Sequence, residues 1–180
     1  MRSNHLYELV CDFKAALVQA RETGDFSGDI VFRKFPRGCC GDTCCLLAEY
    51  LLAHGIDTIY VCGSERDQSH AWLVIKDRRV KNPKTKHYEL PEDIRDILNL
   101  YGSSDNDGSI NTMHYEKRDL KNGLIVDITA DQFGENPVLI EYMGDFHERF
   151  RFDFARDCGG IGDDPRLRKI YNIAMKYLSC

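Results

Sequence analysis

"FPRGCCGDTCCLLAEYLLAHG", residues 35–55, holds four of the eight cysteines of this chain within seven positions. Its second part, "GDTCCLLAEYLLAHG" (41–55), opens on Asp and Thr and closes on Gly55, the start and stop signals of a helix. Cys44, Cys45, Leu47, Ala48, Leu51 and Leu52, with Leu46 and Tyr50 between them, leave few polar positions on its surface. A helix apolar on most sides belongs in the middle of a domain. The four cysteines then have four readings: metal ligands, a disulfide framework, core filler, or one nucleophile with three bystanders.

Outward from this helix, apolar residues recur at helical spacing over 5–21, at Leu6, Leu9, Val10, Phe13, Leu17 and Ala20. "TGDFSGD" ends that helix, and a short extended piece around Ile30–Phe35 is predicted before Pro36. After Gly55, "DTIYVCG" (57–63) and "SHAWLVIKD" (69–77) read as strands, rich in β-branched and aromatic residues. "LPEDIRDILNLYG" (90–102) reads as a short helix and "SSDNDGS" (103–109) as a polar loop. "NGLIVDITADQF" (122–133) and "NPVLIEYMG" (136–144) read as two further strands. "HERFRFDFA" (147–155) alternates charge with Phe in the manner of an edge strand, and "DDPRLRKIYNIAMKYL" (163–178) as a closing amphipathic helix. The expectation is one α+β domain over 1–180, a central helix packed against a mainly antiparallel β-sheet, with an insertion at about 78–121.

The composition narrows the function classes. The 180 residues suffice for one domain with a real core, and 43% are apolar. The net charge is −5, and no basic stripe with interleaved aromatics occurs, which argues against nucleic acid as partner. No run approaches 18 apolar residues, so no membrane span is expected. The N-terminus lacks the basic-then-apolar layout of a secretory signal, which points to a cytoplasmic protein, or an exported effector without a recognisable signal. Thiols rather than disulfides are the expectation in a reducing compartment. "CGGIGDDP" (158–165) lacks the preceding strand of a phosphate loop, and "SDNDGS" lacks the spacing of a calcium loop.

Three features come in an informative order. A cysteine cluster begins the central helix, His70 opens a strand, and Asp127 lies in another strand. A helix N-terminus and an adjacent imidazole both favour a thiolate. The imidazole in turn needs a carboxylate or amide to orient it. By strand alternation His70 shares a face with Trp72 and Val74, and Asp127 with Ile125 and Thr129, so adjacent strands would bring His70 and Asp127 together.

"GCCGDTCCLLAEYL", "HAWLVI" and "LIVDITADQF" together resemble the papain-like and transglutaminase-like cysteine enzymes over roughly residues 35–133. The resemblance implies a Cys at the start of the central helix, a His on a following strand and an Asp or Asn on the next. It implies a thiol-dependent amide hydrolase or acyltransferase, acting on a protein or peptide by glutamine deamidation, transglutamination or proteolysis, without cofactor or metal. Cys40 is the favoured nucleophile, because it directly precedes "GDT", where Gly41 permits a sharp entry into the helix; Cys39 is the alternative. His70 is the proton shuttle and Asp127 its orienter, with Asp131 the competitor. Gly41, Trp72 and Gln132 are candidate substrate or oxyanion contacts. Three departures stand out: no Gln lies between Gln19 and Cys40, 57 residues separate His70 from Asp127, and Gly41 stands where transglutaminases carry Trp. Two other functions are open. One is a zinc module using Cys39, Cys40, Cys44 and Cys45 with Cys62 or Cys158, although no CxxC knuckle occurs. The other is a catalytically silent binding fold.

Overall fold

The computed structural model describes residues 3–77, 79, 80, 84–89 and 109–178. The expected helix at 90–102 and residues 103–108 of the "SSDNDGS" loop fall outside these residues, and its last residue, Ser109, begins a strand. The elements run α1 (Ser3–Glu22), α2 (Cys40–Ala53), β1 (Thr58–Glu65), β2 (Gln68–Ile75), β3 (Lys84–Glu89) and β4 (Ser109–His114). They continue with the one-turn helix α3 (Lys117–Leu120), β5 (Leu124–Asp127), β6 (Leu139–Tyr142), the one-turn helix α4 (Asp145–Glu148), β7 (Arg151–Cys158) and α5 (Pro165–Met175). The strands form one sheet in the order β3-β4-β7-β1-β2-β5-β6, every pair antiparallel. The class is α+β. No helix among the described residues is long and apolar enough to cross a membrane.

Alternation of side chains across the strands divides the core in two. On one face, Ala71, Leu73, Ile75, Val126 and Ile128 pack with α1, α2 and α5. α2 lies against β1 and β2 and touches α1 and α5 as well, so it is covered on several sides. Leu46, Leu47, Ala48 and Leu51 are wholly buried there, and burying each leucine contributes about 1.5–3 kcal/mol. Leu52 faces outward instead. The predicted stripe of α1 is the buried one: Leu6, Leu9, Val10, Phe13, Leu17 and Ala20 all enter this core. On the other face, Trp72, Val74 and Ile125 pack with Phe146, Phe150 and Tyr115.

Three local expectations change. Residues 30–35 are not extended: Asp29 Oδ1 accepts from the N–H groups of Val31 and Phe32 at 2.9 and 2.8 Å and turns the chain into a 3₁₀ turn, Phe32–Lys34. The strand at 122–133 stops at Asp127, whose Oδ1 accepts from Thr129 N–H at 2.8 Å, and a 3₁₀ turn, Ala130–Phe133, follows. This local side-chain bond competes with the ladder and ends it. β7 does not lie at the edge of the sheet, since β1 pairs along it and β4 meets it at His114 and Arg156. The expected insertion also contributes to the sheet through β3 and β4, and Val80, Tyr115 and Leu120 are buried.

Candidate active site

The β2–β5 register pairs Leu73 with Val126 and Val74 with Ile125. Continued by one residue it sets Asp127 opposite Trp72 and diagonal to His70. Diagonal neighbours are within reach of long side chains. His70 Nε2 lies 2.6 Å from Asp127 Oδ2, and both residues are buried. An ionised carboxylate only accepts, so Nε2 carries the proton. That leaves Nδ1 as the remaining ring nitrogen. It is buried and makes no hydrogen bond of ordinary geometry with the described residues.

Cys40 is the first residue of α2 and is partly exposed, with its thiol beside the His70 ring. Burial acts to lower the basicity of that ring, but the Asp127 hydrogen bond and the nearby Cys40 sulfur outweigh it and push the imidazole up to about 9. Burial would favour a protonated Asp127. The hydrogen bonds from His147 and His70 and from Thr129 N–H win, and hold the carboxyl far below the ordinary carboxylate range. The sequence-predicted Cys40, His70 and Asp127 are thus brought together.

The other thiols are in different environments. Cys39 is 2% exposed; its Sγ contacts Pro36 O at 3.2 Å and accepts from Thr43 Oγ1 at 3.4 Å. Burial pushes it up to about 12. Cys44 is buried in the helical core and raised as well. Cys45 is brought down to about 7, first by a hydrogen bond with the Cys158 thiol and then, against burial, by Arg156. Nothing in the spacing of the cysteines signals this lowered thiol. All seven described cysteines are free thiols.

Gly41 has a different structural part from the expected one. The sharp turn before the helix falls at Gly38, where φ is +69°, a region that only glycine adopts without strain. Gly41 lies inside the first turn of α2, and a Cβ there would stand 3.1 Å from the Tyr60 hydroxyl, so it is a close-approach position. Gln132 ties the approach to α2 down: Oε1 accepts from Gly38 N–H at 3.2 Å and Nε2 donates to Thr129 O at 3.0 Å. Trp72 is 2% exposed and packs with its ring centroid 5.8 Å from that of His70, a wall of the site rather than a platform for substrate. Asp131 is taken by Lys14, whose buried Nζ lies 2.9 Å from Oδ2 and 2.7 Å from Ile128 O.

His147, whose sequence context reads as surface or packing with a place near the site as the alternative, enters the site. It comes from α4, is fully buried, and sets Nε2 3.2 Å from Asp127 Oδ2. Two imidazoles therefore donate to one carboxylate oxygen, while Thr129 N–H and Oγ1, at 2.8 and 3.1 Å, donate to the other. Phe133, Phe146 and Phe150 surround His70, with ring centroids 5.0, 5.7 and 5.2 Å away. Their contribution is invisible in sequence because they come from a 3₁₀ turn, a one-turn helix and the bend that follows it.

His70, Asp127 and His147 offer donor atoms within 4.8 Å of one another, the one group among the described residues with metal-ligand spacing. The four clustered cysteines form no such group. Metal-bound histidines ordinarily donate their second ring N–H to a fixed acceptor. Here neither Nδ1 makes a hydrogen bond of ordinary geometry, His147 Nδ1 standing 3.7 Å from Glu141 Oε1, and both oxygens of Asp127 are already bonded. The trio fits a hydrogen-bond network better than a metal centre. Compared with protein families, curated proteins and solved structures, the chain matches none.

Proposed function

We propose that this protein is a cysteine-dependent amide hydrolase or acyltransferase acting on a protein or peptide, with Cys40 as nucleophile, His70 as proton shuttle and Asp127 as its orienter. The observation that carries it is the two-sided environment of His70. Nε2 is bonded to Asp127 at 2.6 Å, and the opposite nitrogen, Nδ1, is left unpaired with the Cys40 thiol beside the ring.

At neutral pH the His70 ring, pushed up to about 9, already holds on Nδ1 the proton taken from the thiol, and Sγ attacks the amide carbonyl carbon. The C–N bond then breaks as the imidazolium returns that proton to the leaving amine, leaving a thioester on Cys40. Water attacks the thioester carbon next with its proton passed to Nδ1, and the C–S bond breaks to release the acid and restore Cys40 beside the imidazolium, giving proteolysis or glutamine deamidation; an amine in place of water gives a crosslink. The developing oxyanion faces the N-terminus of α2, where no side chain caps the helix and the first N–H groups have no intrahelical acceptor. Asp127 stays ionised throughout and fixes the ring.

The test is brief iodoacetamide labelling at neutral pH, mapped by mass spectrometry, followed by activity against a panel of glutamine-containing peptides. Cys40 is expected to label ahead of Cys39 and Cys44, and His70→Ala to slow that labelling and reduce turnover by at least about 10³-fold with the fold retained. Cys45 is the thiol to separate by mass. Labelling confined to Cys45, or a fully active His70→Ala variant, rejects the proposal.

A further inference from the structure

Beside the site lies a cleft of about 810 Å³ whose rim carries Arg21, Arg33, Lys34 and Arg37. It runs to Gly38, two residues before Cys40, and to Gln132, which is bonded to Gly38. Arg33, Lys34 and Arg37 are exposed, and none makes a side-chain hydrogen bond or ion pair with the described residues. Arg21 is held in place, donating to Phe35 O at 2.9 Å and to Glu22 at 3.0 Å. The one carboxylate in the lining, Asp131, is neutralised by Lys14. In a chain of net charge −5 this is a local excess of positive charge, and a concave wall of one sign concentrates ligands of the other.

We infer that this cleft binds an acidic peptide segment of the substrate and delivers the neighbouring amide to Cys40. The inference rests on the proposed cysteine chemistry and adds the substrate class to it. A peptide fits better than a nucleic acid. Single-stranded nucleic acids are held by exposed aromatic rings on which bases stack. The one aromatic residue of the lining, Phe35, is 1% exposed, with its ring beneath Lys14 Nζ at 4.7 Å.

The experiment measures fluorescence anisotropy of a labelled six-residue glutamate peptide and a matching glutamine peptide, with Arg33→Gln/Lys34→Gln/Arg37→Gln as the variant. The three side chains are exposed, so the variant retains the fold. The glutamate peptide is expected to bind at least about tenfold tighter than the glutamine peptide, an advantage that added salt weakens and the triple variant abolishes. Equal binding of the two peptides, or an unchanged triple variant, overturns the inference. So does tighter binding of a short single-stranded RNA through the same three residues. Iodoacetamide labelling of Cys40 in the same samples reports the chemistry independently. A reactive Cys40 without glutamate preference rejects the cleft alone. Glutamate preference with an inert Cys40 rejects the cysteine chemistry and, with it, delivery of a substrate.

Discussion

Among the described residues the helical face of the sheet buries about twice as many apolar side chains as the opposite face, and the two differ in what they do with them. The helical face is built from long, regular elements, and its members are mainly leucine, valine, isoleucine and alanine on α1, α2 and α5. The opposite face is built from short turns and one-turn helices that carry Phe133, Phe146 and Phe150 around His70. The nucleophile candidate packs at the margin of the first core, while the imidazole and its carboxylate belong to the second. The difference teaches where positional control resides. A long helix presents Cys40 through backbone geometry alone, whereas His70 and Asp127 depend on close packing and on donors from several separate segments.

The sharpest break of this comparison is a pair of core truncations. Phe13→Ala on the helical face and Phe150→Ala on the aromatic face each remove a fully buried ring, and each is expected to cost about 3–5 kcal/mol in chemical denaturation. Only Phe150→Ala should also change the pH profile of Cys40 alkylation, because Phe150 touches the His70 ring. Equal effects of both variants on that profile would erase the functional distinction between the faces.

A smaller effect, on the order of 3 kcal/mol, concerns the buried ion pair. The imidazole of His70 is pushed from an ordinary 6.5 up to about 9 in the folded protein. A raised folded-state value means that protonation stabilises the fold. The stabilisation is fully present below about pH 6.5 and is lost as the pH rises through about 9. Asp127→Asn removes the carboxylate that sustains it, so the stability difference between wild type and variant should shrink over that window. A difference that grows from pH 6.5 to 9 contradicts the assignment.

The smallest predicted effect belongs to His147, which donates to Asp127 and, under the proposed mechanism, positions it. His147→Ala should reduce kcat about tenfold with little change in KM and should shift the pH profile of the reaction. His147→Gln, whose amide can still donate to Asp127, should recover part of the loss. Loss of stability without any change in the pH profile would reduce His147 to core packing.

Residues that act through periodicity were legible early. The apolar stripe of α1, the near-uniform apolarity of α2 and the alternation in β2 each require only a local pattern. The juxtaposition of His70 with Asp127 was legible too, because two strands with buried faces admit few registers. His147 was not, since its partner lies 20 residues away and its one-turn helix carries no periodic signal. The turn at Asp127 was missed for a related reason: "LIVDITADQF" keeps a strand-like pattern, and the bond from Thr129 N–H to the Asp127 side chain overrides it.

The same limit separates Cys40 from its neighbours. The sequence alone determines that four cysteines surround a helix start, that this helix is central, and that a histidine and an aspartate follow on strands. The tertiary structure decides that Cys39 is sealed against Pro36 and Thr43, that Cys45 meets Cys158, and that Cys40 stands beside His70. Hydrophobic periodicity selects which side of an element is buried, and that is a one-dimensional property of the chain. The environment of a thiol or an imidazole is set by groups that arrive from distant segments, and only their three-dimensional packing brings those groups within the few ångströms over which hydrogen bonds and charge interactions act.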